Sequence, residues 1–473
     1  MPVMTPRVAP RAKDTDLTIQ APARTSDAVL ANLLVDFYGL MPGAIAECVP
    51  DTAPIKDSGV FSPGFALPEL DERVLAFFAA ATAGWQRLGA YGGHRLSLLD
   101  LTGNPGTRTT KTIASLLIVA RAVEYIRRTG EPIVIFSPTS ANKGTALRDA
   151  VLRAINAGLV APEQLRVIIL APRSCELKLW SSRLSTDATL RGLNPLLLYT
   201  GDEPEQVKAL GREFVDEHSA GLDANLWFSL ELRNYLVADT ARAFFEQRTD
   251  PTDAPDAAPR LHAHAVSSAF GLLGYHKGRA VLEARGEADV RTRPASLLVQ
   301  HLATPDMVIN LRHGDFDPAH VPPYELDGGV FVQSSDPRFP EVTYALDEVL
   351  DPTFYTRAPA TSPAMNELIG RYGGDGVVVS LAECVRRYPQ VRALLAGTGC
   401  ALPADLRTLR EWSVVMAMTG VLNAIDRGLL GAGWDVVVHG SGCYGTADYR
   451  PMEPSAMTPV ATVADIAEAV RCR

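Results

Sequence analysis

Gly103-Asn104-Pro105-Gly106-Thr107-Arg108-Thr109-Thr110-Lys111 follows the apolar residues 96–101, precedes a segment with helical spacing, and ends on a lysine. Further along, Thr139-Ser140-Ala141-Asn142-Lys143-Gly144 forms a second turn of small and polar residues after the apolar run 131–136. A lysine amine enclosed in such a loop sheds its proton more readily than one in water and condenses with an aldehyde as a Schiff base. The second turn leads into a helix, so its backbone N–H groups point at a carboxylate, and the Asn142 amide is placed to donate to an oxygen on an aromatic ring. Taken alone, that turn reads as a plain turn with a helix cap before it reads as a binding loop.

Outward from these loops, apolar runs and helical segments alternate. The spacing predicts strands at 131–136, 166–170, 196–200 and 435–439, and helices at 145–157, 203–218, 225–247 and 406–430. Residues 264–274 read as strand and loop, and the chain from there to about 363 carries little pattern. Strands separated by helices predict an α/β fold, with parallel-sheet layers flanked by helices. In such sheets ligands sit beyond the carboxyl ends of strands, where the 139–144 turn and Gly440-Ser441-Gly442-Cys443-Tyr444-Gly445 both lie. The Pro-rich connection 248–259 marks a candidate lobe boundary.

Composition narrows the classes of function. At 473 residues, 47% hydrophobic and 21% charged, the chain has enough apolar surface for a large core and divides into two lobes. A formal charge of −9 without a Lys/Arg block argues against nucleic acid as a partner. Residues 1–26 read as a flexible tail without the apolar core of a signal peptide, and no run is long and apolar enough to span a membrane, so a cytoplasmic protein is expected. Cys48, Cys175, Cys384, Cys400, Cys443 and Cys472 lack metal-type spacing and read as free thiols, with no metal expected; Cys443 stands apart because it lies in the Gly-rich turn. No dinucleotide or P-loop glycine string follows the relevant strands.

Four of these segments, in this order, resemble the fold-type II pyridoxal-phosphate (PLP) enzymes, a family that includes threonine synthase, cysteine synthase and the tryptophan synthase β chain. Gly106-Thr107-Arg108-Thr109-Thr110-Lys111 resembles that family's Pro-Thr-Gly-Ser-Phe-Lys loop, which implies that Lys111 forms the internal aldimine. Thr139-Ser140-Ala141-Asn142-Lys143-Gly144 resembles its Thr-Ser-Gly-Asn-Thr-Gly loop, which implies a ring contact for Asn142 and substrate contacts for Thr139, Ser140 and Lys143. Val266-Ser267-Ser268-Ala269-Phe270-Gly271 resembles the Pro-Thr-Gly-Asn-Phe-Gly loop of threonine synthase, implying a phosphate grip by Ser267, Ser268, Ala269, Phe270 and Gly271. The strand and turn 436–442 are similar to a late family strand whose hydroxyl meets the pyridine nitrogen, a role that falls to Ser441.

A hydroxyl at that nitrogen implies β- or γ-elimination or replacement on an amino acid more than transamination. The resemblance also implies a homodimer and two lobes, the smaller around 110–225 inserted in the larger 27–473 catalytic region. Ala141, Lys143, Ala269 and Thr112 depart from the family's glycine, threonine, asparagine and aspartate. Those departures point to specialised metabolism rather than threonine synthesis, and they motivate an alternative in which the chain is a catalytically inactive binding or regulatory protein. Lys143 reads as a carboxylate partner, a second base, a substitute aldimine lysine or an exposed residue at a helix start. Arg108 reads as an anion contact or a solvated loop residue. His439, Tyr444 and Tyr449 read as packing groups before acid/base groups, His276 and Lys277 equally as surface residues, and Tyr355 or Arg357 as groups able to reach a substrate carboxylate.

Overall fold

The computed structural model describes residues 28–57, 60–218, 223–229, 231–254 and 257–471; the tail at 1–26 and Cys472 lie outside the described residues. Two sheets organise the chain. The five-stranded sheet is parallel throughout, in the order Met457–Val460, Leu196–Tyr199, Leu165–Pro172, Ile133–Pro138, Asn225–Phe228. The seven-stranded sheet runs Val29–Asn32, Thr82–Tyr91, His94–Asp100, Asp435–Gly440, Arg260–Ala265, Ala295–His301, Gly374–Val379. Its first three strands pair antiparallel and the rest parallel.

The expected α/β class, parallel sheets flanked by helices, is what the chain adopts. Ile133–Pro138, Arg260–Ala265 and Ala295–His301 are buried at every residue, as strands covered by helices on both faces must be. Lys111–Thr129 and Ala141–Asn156 pack against one another, and Phe270–Ala284 packs on Arg233–Asp239 and Ala241–Thr249. Gly278 permits the last contact: a Cβ there would meet the Thr240 carbonyl at 2.3 Å.

Several boundaries differ from expectation for identifiable reasons. Residues 225–247 are not one helix: Asn225–Phe228 pairs with Ile133–Pro138 as a strand, and helices Arg233–Asp239 and Ala241–Thr249 follow. Residues 406–430 are not one helix either. The amides of Arg410 and Glu411 donate to the Tyr444 carbonyl, so a short turn at Leu406–Thr408 stops there and the helix begins afresh at Ser413–Asp426. The helix expected at 145–157 starts earlier, at Ala141–Asn156, which carries Asn142 and Lys143 in its first turn. Within the poorly patterned region, Glu325–Asp327, Val330–Val332 and Val342–Thr343 form a small antiparallel sheet. Among the described residues, no helix is long and apolar enough to cross a membrane.

Candidate active site

Four strand ends converge on one cavity of about 200 Å³. His94–Asp100 leads to the loop before helix Lys111–Thr129, Ile133–Pro138 to helix Ala141–Asn156, and Arg260–Ala265 to helix Phe270–Ala284; Asp435–Gly440 leads to Ser441. Lys111, Thr139, Ser140, Asn142 and Lys143 all line the cavity, as do Ser267, Ser268, Ala269, Phe270, Gly271 and Ser441. The lysine loop is stitched to the Ser441 turn, because the Thr110 amide donates to the Ser441 carbonyl at 2.8 Å and Thr109 bridges Gly442.

Lys111 is the first residue of its helix, and its amine lies 5.3 Å from the centre of the Tyr235 ring. Burial lowers its pKa and Arg242 lowers it further, against an opposing pull from Asp239 and Glu411. Lys143 is only 6% exposed, so the surface reading fails. Its ammonium donates to the Ser229 carbonyl at 2.7 Å and sits 5.7 Å from the same Tyr235 ring. Burial, then Lys111 and Lys208, bring it down to about 7.

Asn142 donates through Nδ2 to Glu411 at 2.7 Å and accepts from the Tyr444 hydroxyl at 2.8 Å. Its orientation is thereby fixed, and one amide N–H remains for a ligand. Ala269 holds φ +49° as the residue before helix Phe270–Ala284, a strained conformation for a residue with a Cβ. Among the described residues, no backbone carbonyl accepts from the amides of Ser267, Ser268 or Ala269. A turn of free amides at a helix start is suited to an anion.

Arg108 is a correction. It does not line the cavity; its guanidinium donates to the carbonyls of Cys443 at 2.9 Å and Gly399 at 2.8 Å and reaches Asp448, bracing the outer side of the turn. Cys443 is buried, with its thiol donating to the Cys400 carbonyl. His276 is buried against Ser296, Lys277 pairs with Glu47, and Arg357 pairs with Asp306. Tyr449 donates to the Leu177 carbonyl, while Tyr355 does line the cavity.

Sequence reasoning missed Arg242 and His264. The Arg242 guanidinium is wholly buried beside the lysine loop: it pairs with Asp239 at 2.7 Å, donates to Thr110 Oγ1 at 2.8 Å and lies 2.8 Å from His439 Nδ1. Since arginine only donates, His439 accepts at Nδ1 and donates from Nε2 to His262 Nδ1 at 2.8 Å. His262 in turn donates from Nε2 to Glu246 at 3.1 Å. Burial would raise the Glu246 carboxyl, but His262, Arg260 and Tyr275 outweigh it and hold it down at about 2. The guanidinium is thus anchored through two imidazoles to a buried carboxylate. His264 is 7% exposed and lines the cavity, yet neither ring nitrogen has a hydrogen-bond partner among the described residues. Burial, with Arg242 and Lys111, drives its pKa well below the usual histidine value, so the ring is neutral. The alternation His262-Ala263-His264, which puts both imidazoles on one face of a strand, was the legible signal.

No curated protein matches the chain. Solved structures to which it is similar include PLP-bound threonine synthase from Brucella melitensis, at 13% identity and a TM-score of 0.49, covering 80% of this chain and 78% of that one. Others are an L-serine ammonia-lyase from Rhizomucor miehei (12% identity, TM-score 0.43, 75% and 90% covered) and threonine deaminase isoform 2 from Solanum lycopersicum (10% identity, TM-score 0.45, 92% and 89% covered). The family model described as a family of unknown function, DUF6002, matches residues 29–473, and the chain belongs to that family.

Proposed function

We propose that the chain is a PLP-dependent enzyme of the fold-type II kind, acting on an amino acid by β- or γ-elimination or replacement. The observation that carries this reading is one cavity holding the Lys111 amine, the free-amide turn at 267–271 and the Ser441 hydroxyl together. The residues fit the cofactor. An amine with a lowered pKa is available to an aldehyde, an anion-binding turn is available to a phosphate, and the unpartnered His264 nitrogens await a polar ligand. When bound, PLP supplies an electrophilic aldehyde and an electron-accepting ring.

Lys111 would hold the aldehyde carbon and, as a free neutral amine, take the substrate's α-proton. The amides of 267–271 would hold the phosphate, with the Arg242 guanidinium packed against Gly271 adding positive charge behind them. Ser441 would hydrogen-bond the ring nitrogen without stabilising a full positive charge there. Asn142 has one amide N–H for the ring oxygen, and Thr139 and Ser140 stand at a helix start where the substrate carboxylate would be oriented. Phe354 and Tyr355 line the same cavity, where their rings would limit the access of water to the reacting atoms.

The test is a titration of purified protein with PLP. A visible absorbance band is expected in the wild type and not in Lys111→Ala, with matching circular dichroism spectra. A wild type that stays colourless at saturating cofactor sinks the reading. Should the band form but remain unmoved by O-acyl, O-phospho and sulfur-bearing amino acids alike, the binding-protein alternative takes its place.

A further inference from the structure

Of the six lysines among the described residues, Lys56, Lys178 and Lys277 form ion pairs with carboxylates. The other three, Lys111, Lys143 and Lys208, make no ion pair among the described residues, and all three line the same cavity. The cavity's one acidic residue, Asp239, is already paired with Arg242. An enclosed site with three amines and no carboxylate left to pair with them suits a ligand that brings anions into it.

The charges divide by position. Lys111 is taken up by the aldehyde under the reading above, and the phosphate is matched by the 267–271 amides with Arg242 behind them. The substrate α-carboxylate is matched by the turn at Thr139 and Ser140. Lys143 and Lys208 are left over. Lys143 comes from the first turn of Ala141–Asn156 and Lys208 from helix Gln206–His218, and the Lys208 ammonium lies 5.4 Å from the centre of the Tyr355 ring. Burial lowers the pKa of both, with the Glu205 carboxylate opposing the shift at Lys208 and no carboxylate opposing it at Lys143. Tyr355 and Phe354 give that part of the cavity an aromatic wall.

We propose that Lys143 and Lys208 bind a second anionic group, carried on the side chain of the amino-acid substrate. This rests on the reading that the cavity takes an amino acid. The recognised chemistry is a short chain ending in a carboxylate or a phosphoryl group, held by two ammonium groups against an aromatic wall.

Calorimetric titration of the PLP-saturated protein with L-aspartate and L-asparagine, and with O-phospho-L-serine and L-serine, tests this. The acidic member of at least one pair is expected to bind about tenfold tighter than the neutral one, consistent with a charge-assisted contact. The better acidic probe identifies carboxylate or phosphoryl. Lys208→Gln, at a half-buried site, and Lys143→Gln are each expected to bring the preferred ratio close to one. Equal binding within both pairs, or an unchanged ratio in Lys208→Gln, overturns the proposal. The visible cofactor band, read on the same samples, tests the cofactor separately: acidic preference without a band leaves this subsite standing and removes the PLP reading, whereas a band without acidic preference does the reverse.

Discussion

Glu411 accepts the Asn142 amide at 2.7 Å on the same carboxylate oxygen that the Lys178 ammonium reaches at 2.6 Å. A cavity residue is thus fixed by a buried ionic cluster, since Lys178 also pairs with Asp351 at 2.7 Å and none of the three is appreciably exposed. Burial alone would lower the Lys178 pKa, but the carboxylates of Asp351 and Glu411 outweigh it and hold it well above the ordinary value. Lys178→Met leaves two buried carboxylates without their cation. The expected cost is about 3–5 kcal/mol of stability, read by urea denaturation; a loss under about 1 kcal/mol would show that the cluster does not act as described.

Lys143 titrates at about 7 in the folded chain against 10.5 for an ordinary lysine. Between those values the unfolded chain binds a proton that the folded chain does not, so this residue makes stability rise with pH across the window. Wild type is therefore expected to gain stability relative to Lys143→Met from pH 7 to pH 9. A pH-independent difference between the two proteins would refute the shifted titration.

His264→Phe replaces a buried ring whose nitrogens lack partners with an apolar ring of similar shape. Its melting temperature is expected to match or exceed that of wild type, because unsatisfied polar atoms are removed. PLP affinity is expected to fall about tenfold, the worth of one lost hydrogen bond to a charged group. A marked drop in melting temperature would mean that the imidazole serves packing instead.

Gly271→Ala would ordinarily favour the helix by about 1 kcal/mol. Here the new Cβ lands 2.5 Å from the Arg242 guanidinium, which is held by Thr110, Asp239 and His439. A loss of about 1–3 kcal/mol is expected. The same substitution in an Arg242→Met background should cost clearly less, and equal costs in both backgrounds would show that the two sites are uncoupled.

The strand-to-helix rhythm of the middle of the chain was legible because runs such as Ile133–Pro138 and Leu165–Pro172 are buried on both faces and mostly apolar, with Ser137 and Arg166 as their polar members. Lys111, Asn142 and Ser441 were legible because small residues surround each of them after a strand. Asn225–Phe228 was hidden, since four residues are too few to show a period and the helices that follow dominate the window. Arg242 read as an ordinary helical arginine; only the assembled fold puts it under Gly271 and beside Thr110. Arg108 misled for the opposite reason, because its place in the loop says nothing of the φ of +48° that accompanies its outward turn.

The pairing of Met457–Val460 with Leu196–Tyr199 has a consequence for biogenesis. A ribosome releases the four apolar residues 196–199 long before it makes the segment that covers their open side. Until then the nascent chain carries a sticky, unpaired β-edge, the kind of surface on which chains aggregate and holdase chaperones act. A premature stop codon between Gly442 and Met457 makes that exposure permanent while sparing every residue that lines the cavity.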